Sequence, residues 1–114
     1  MIATAIEINS LNAPLSSCFG KAKYFAFFDG NSFKIEKNIY KNGFKVSKWL
    51  YEVGVTTFVI KEQGNIPCAL KGDNNIDICY PLTLEPRLKE IVRIYFQSKN
   101  KYDILSNSGY MNST

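Results

Sequence analysis

The sequence predicts an α/β domain built on a five-stranded mixed sheet, in spatial order 3-2-1-4-5 with the second strand antiparallel, and three helices. Three observations lead there. Alternating apolar runs, "IATAIEI", "KYFAFF" and "FKIEK", follow one another over residues 2 to 37 with turn-forming segments between them, the pattern of a meander. At Gly43 the period changes to that of a helix, because Val46, Trp49, Leu50 and Val53 fall at i, i+3, i+4 and i+7. "VTTFVI", residues 55 to 60, is then nearly continuous in β-branched and apolar residues, as a strand covered on both faces requires.

Taken in order, Ile2, Ile6 and Ile8 alternate with Ala3, Ala5 and Glu7 in a first strand, which a loop rich in Asn, Pro and Ser follows as far as Gly20. "KYFAFF", the turn "DGNS" and "FKIEK" make a hairpin whose second arm, apolar Phe33 and Ile35 against charged Lys34 and Glu36, suits a sheet edge. The first helix follows and Gly54 supplies its stop. After the strand at 55 to 60, "EQGNIPCALKG" predicts a short second helix with Pro67 in its first turn, Ala69 and Leu70 inward and Gly72 closing it. "NIDICY" is a fifth strand. Thr83 or Glu85 then caps a third helix starting near Pro86, with Leu88, Ile91, Val92, Tyr95 and Phe96 on its inner face. Residues 1–97 form the domain, and 98–114 are a polar, loosely held tail with Ile104 and Leu105 as a small apolar handle.

Right-handed crossovers lay the fourth and fifth strands parallel to the first, so the loops after strands one, four and five emerge at one sheet edge, where open α/β sheets bind ligands. Each of the three cysteines stands at such a carboxyl end. Cys18 lies in the loop after strand one, Cys68 in the opening turn of the helix after strand four, and Cys79 near the end of strand five. Thiolates select zinc, copper(I) and iron-sulfur species over hard cations. Cysteine is also among the most commonly buried residues, which suits Cys79 best and Cys18 least, since Ser16, Ser17 and Gly20 are loop formers. Gly64 and Asn65 place backbone N–H groups at a helix start, where an anion is favoured.

Composition narrows the chemistry. The 114 residues (13.0 kDa) are enough for one core, and with three widely spaced cysteines no disulfide framework is indicated. There is no histidine, which removes Ser-His-Asp, Cys-His and imidazole-ligand mechanisms. No apolar run approaches the roughly 20 residues of a membrane span, and "MIATAIEIN" has neither a basic start nor a cleavage site, so a cytoplasmic protein is expected. A net charge of +4 is mild.

The stretch "SSCFGKAKYF" resembles the signature of the dinitrogenase iron-molybdenum cofactor biosynthesis family, which reads Ser, any residue, His, Phe-Gly, any residue, Ala, two of any, Phe. Ser16, Phe19, Gly20, Ala22 and Phe25 match, and the similarity extends through "VSKWLYEVGVTTFVI" and "GNIPCAL", over roughly residues 1 to 97. The resemblance implies a ribonuclease H-like three-layer fold and a non-catalytic role in binding or carrying an iron-molybdenum cofactor, its precursor or a related metal-sulfur cluster, with an iron-sulfur or iron-molybdenum cluster as the cargo. Ser16, Cys18, Phe19, Gly20, Lys21, Gly64 and Asn65 are then the expected binding residues, with Cys18 and Cys68 as metal ligands and cluster donor or acceptor proteins as partners. The family's histidine is Cys18 here, the histidine-glycine pair before the first helix is "YKNGFKV", and one glycine is missing before Pro67. An interaction or regulatory module of the same fold, with metal binding lost, is the alternative. A nuclease is disfavoured because Glu7, Asp29, Glu36 and Asp77 form no tight acidic cluster. No nucleic-acid binding is expected either, since most aromatics fall on core positions and the lysines form no single stripe.

Overall fold

The computed structural model of the chain describes residues 1–30, 32–61, 66–71, 75–81, 85–97 and 105–107. A mixed sheet of order β3-β2-β1-β4-β5-β6 forms the middle layer. It comprises β1 (Ile2–Ile6), β2 (Tyr24–Asp29), β3 (Ser32–Lys37), β4 (Thr57–Val59), β5 (Asp77–Pro81) and β6 (Leu105–Asn107). β2 is antiparallel to both β1 and β3, whereas β4 pairs parallel with β1 and β5 parallel with β4. The five-strand order 3-2-1-4-5 is therefore present, with one strand added beyond it.

The period-2 alternation of β1 and β2 sorts their side chains into two cores. Ala3, Ala5, Phe25 and Phe27 join Phe58 and Ile78 on one face, where Val46 and Leu50 of α1 (Gly43–Glu52) cover them. Ile2, Ile6, Ala26 and Phe28 join Val59 and Cys79 on the other, under Leu88 and Ile91 of α2 (Leu88–Gln97). Both faces of β1 are thus sealed, which is why all five of its residues are buried. Thr4, the polar member, donates its Oγ1 hydrogen to the Val59 carbonyl at 2.7 Å, so no buried donor is left over there. Truncating a residue such as Phe25, buried among Trp49, Phe19 and Phe58 rings, costs about 3–5 kcal/mol.

Four expectations need correction. Two α-helices form, not three: the predicted second helix is a single 3-10 turn, Cys68–Leu70, because Pro67 holds an extended ψ of 138° and Lys71 is extended again at 128°. The sheet has six strands rather than five, since Leu105–Asn107, from the segment assigned to the tail, pairs antiparallel with β5. Val53, expected inward, sits past the last turn of α1 as its C-cap and is exposed. The helix stop at Gly54 is present, at a φ of +95°. α2 begins at Leu88, later than Pro86, because its first free N–H groups are taken by loop carbonyls: Leu88 N donates to Ala13 O (2.8 Å) and Lys89 N to Leu11 O (2.7 Å).

Candidate functional site

The loop after β1 is built by short-range hydrogen bonds. Ser16 N–H donates to the Ala5 carbonyl (2.7 Å), its hydroxyl donates to Glu7 Oε2 (2.5 Å), and the same Oγ accepts the Cys18 N–H (2.9 Å). Ser16 is thereby turned toward Glu7, and Cys18, one turn further on, is left exposed. Phe19 anchors the next step, packing edge-on against Phe58 (5.1 Å) and Phe25 (5.9 Å) in the core under α1.

Gly20 follows because nothing larger fits. A Cβ there would lie 2.4 Å from the Gly43 nitrogen and 2.8 Å from its Cα, so the loop backbone rests directly on the first residue of α1. Asn38 locks this approach. Its buried side chain donates from Nδ2 to the carbonyls of Gly20 (2.8 Å) and Ala22 (2.9 Å), while Oδ1 accepts the N–H groups of Tyr40 (3.0 Å) and Lys41 (3.3 Å). One amide thus ties the Cys18 loop to the segment that enters α1. Asn42 then caps the helix, its Oδ1 accepting Phe44 N–H (3.0 Å) and Lys45 N–H (3.1 Å).

The consequence is an open cleft of about 520 Å³ at the carboxyl end of the parallel strands. Ser17, Cys18, Phe19, Gly20 and Lys21 form one side. Asn42, Gly43 and Phe44 form the second, and Pro67, Cys68 and Ala69 the third. The 3-10 turn is held there by Leu70, which is buried in the same core as α1. Two exposed cysteines, fifty positions apart in sequence, therefore line one cleft with the positive end of α1, whose first turn holds no acidic residue.

Of the expected site residues, Cys18, Phe19, Gly20, Lys21 and Cys68 meet at this cleft. Ser16 lies behind it and shapes the loop. Gly64 and Asn65 lie outside the described residues. Cys79 does not share the rim: it is buried under α2 on the opposite face of the sheet, and burial, with the Asp77 charge adding to it, pushes its thiol up to about 12. Among the described residues no three Cys, Asp or Glu side chains converge to hold a metal, so two thiols are the ligand set at hand.

Asn38 and Asn42 escaped sequence reasoning, as did the bond of Glu7 to Ser16. Asn42 had a readable signal, an Asn just before a helical period. Asn38 and Glu7 had none, because their partners are set by tertiary approach.

No family model matches the sequence, and no curated protein matches it. Solved structures do, in shape. A Thermotoga protein designated a candidate NifB protein of the DUF35 family superposes with a TM-score of 0.67 at 16% identity, covering 99% of this chain and 97% of the other. The apo form of the orange protein from Desulfovibrio gigas gives 0.60 at 18%, over 82% and 84%. A candidate dinitrogenase from Methanocaldococcus jannaschii gives 0.55 at 18%, over 97% and 94%. The likeness is one of fold. No helix among the described residues is long and apolar enough to cross a membrane.

Proposed function

We propose that the protein is a non-catalytic carrier that binds a metal-sulfur cluster, an iron-molybdenum cofactor, its precursor or a related iron-sulfur species, as cargo in the Cys18/Cys68 cleft. The observation that carries this reading is that two exposed cysteines line one cleft. On this reading the three-layer fold is ribonuclease H-like, and its neighbours in shape, designated a candidate NifB protein and a candidate dinitrogenase, support a cluster-related role.

The donor set suits carriage. Thiolate is a soft ligand matched to iron, copper and molybdenum-sulfur chemistry, and clusters held permanently usually take four protein thiolates. Two thiolates leave half of such a coordination shell to an exogenous ligand or to the next protein, so the cargo can be handed on. Lys21 and the N-terminal end of α1 offset the negative charge of a thiolate-ligated cluster. Phe19 and Phe44 supply apolar wall.

The test is anaerobic reconstitution with iron and sulfide, followed by optical and paramagnetic spectroscopy. The wild-type chain should retain a cluster through desalting, and Cys18→Ser combined with Cys68→Ser should retain none. Equal iron and sulfide in the double variant would refute the site.

A second reading, an interaction module of the same fold without cluster binding, is favoured by one observation: no three metal-ligating side chains converge among the described residues. A wild-type chain that folds and retains no iron would decide for it.

A further inference from the structure

We propose that the outward face of α1, with the segment leading into it, docks an acidic partner protein over the mouth of the neighbouring cleft. The partner's role, to give or receive cargo, and the choice of a protein over a nucleic acid or membrane rest on the carrier reading; the apolar, lysine-ringed surface itself does not. At 100° per residue, Phe44, Lys48 and Tyr51 fall within an arc of about 60°, opposite the buried Val46 and Leu50. An outward helix face is ordinarily polar. Here Phe44 is 72% exposed and Tyr51 57%, and Ile39, on the approach to the helix, is 74% exposed. The core gains nothing from their position.

Tyr40 extends this strip and is held in place by the Trp49 ring at 5.3 Å, so part of the apolar edge is already ordered before anything docks. Around it stand Lys41, Lys45 and Lys48, all exposed. The acidic residue of α1, Glu52, lies at the far end, and the ion pair found among the described residues is Lys34 with Glu36 on β3. Lysines beside a helix N-terminus oppose the dipole, so stability does not account for them. An apolar strip ringed by positive charge fits an acidic protein face with apolar residues at its centre.

The occupant is not a second copy of this chain, since a two-fold interface would set lysines against lysines. Phe44 belongs both to the strip and to the cleft lining, so whatever sits on the strip borders the mouth of the Cys18/Cys68 cleft. A protein bringing its own thiolates has reason to sit there; a single-stranded nucleic acid or an anionic membrane has none.

The test uses the whole chain, isotope-labelled, titrated at low ionic strength with an acidic plant-type ferredoxin as the probe protein. Backbone resonances of residues 39 to 51 should shift, affinity should fall at least tenfold in K45E/K48E and in Y51E, and added salt should weaken the wild-type complex. These variants lie outside the cleft lining, so iron and sulfide loading, read separately, should match wild type. Shifts mapping elsewhere, affinity unchanged in K45E/K48E, or tighter binding of a thymidine 20-mer or of phosphatidylcholine-phosphatidylglycerol vesicles than of the ferredoxin would overturn the proposal. A chain that docks the ferredoxin through residues 39 to 51 yet loads no cluster keeps the docking surface and refutes the carrier reading.

Discussion

Removing the Asn38 side chain should loosen the cleft from behind. In Asn38→Ala four hydrogen bonds disappear at once, two to the carbonyls of Gly20 and Ala22 and two from the N–H groups of Tyr40 and Lys41. A buried group left without its partner costs about 1–3 kcal/mol. Three of these bonds are only part-buried, so water can replace much of them, whereas the Ala22 bond is fully buried. The sum comes to about 3 kcal/mol, which for a chain of 114 residues is a fall in Tm of about 12 °C. Asn38→Asp keeps the shape and reverses the chemistry, pointing a carboxylate at two carbonyl oxygens. Its folded-state pKa should rise above the ordinary value near 4, so the deficit against wild type should be smallest at low pH and grow as pH rises to 7. Urea unfolding of both variants across that range, with hydrogen exchange at Tyr40 and Lys41, measures all of this. If Asn38→Ala lies within about 0.5 kcal/mol of wild type, the clamp is not what holds the loop to α1.

Gly20→Ala should destabilise by at least about 1–3 kcal/mol, because its Cβ meets backbone that cannot swing aside. Gly43→Ala should fall within about 1 kcal/mol of wild type, its Cβ finding Ala69 at 3.7 Å and Phe19 at 3.9 Å; thermal melts that rank the two the other way would contradict the packing described. With a thiol reagent near neutral pH, Cys18 and Cys68 should react promptly and Cys79 only on unfolding. Because the folded pKa of Cys79 is raised, its contribution to stability is complete below the ordinary value of 9.0 and is lost as pH climbs toward about 12; Cys79→Ala should lack that slope in urea titrations. Deleting residues 98–114 removes β6 and bares the β5 backbone as a sheet edge, so light scattering should report association, and a monomer of unchanged stability would show that the edge needs no cover.

Much of the architecture was legible because it follows from period. Alternation placed β1, β2 and β3, the continuous run at 55 to 60 placed β4 at the centre, and the crossover rule brought the segments bearing Cys18 and Cys68 to one end of the sheet. Where a single residue outvoted the period, reading failed: Pro67 confines the expected helix to one 3-10 turn. β6 was hidden for a different reason. Leu105, Ser106 and Asn107 carry no strand periodicity of their own and are strand only by pairing with Pro81, Tyr80 and Cys79. The supports of the cleft were equally silent, since Asn38 bonds to carbonyls 16 and 18 residues earlier, a match made by the folded chain alone.

The meeting of Cys18 and Cys68 at one cleft is tested most directly on the protein without cargo, with phenylarsine oxide, whose trivalent arsenic is retained when two thiols bind it together. Intact mass after desalting should show one arsenic adduct on the wild-type chain and on Cys79→Ala, and none on Cys18→Ser or Cys68→Ser. An adduct that survives in either single serine variant, or a wild-type chain that retains none, would contradict the account.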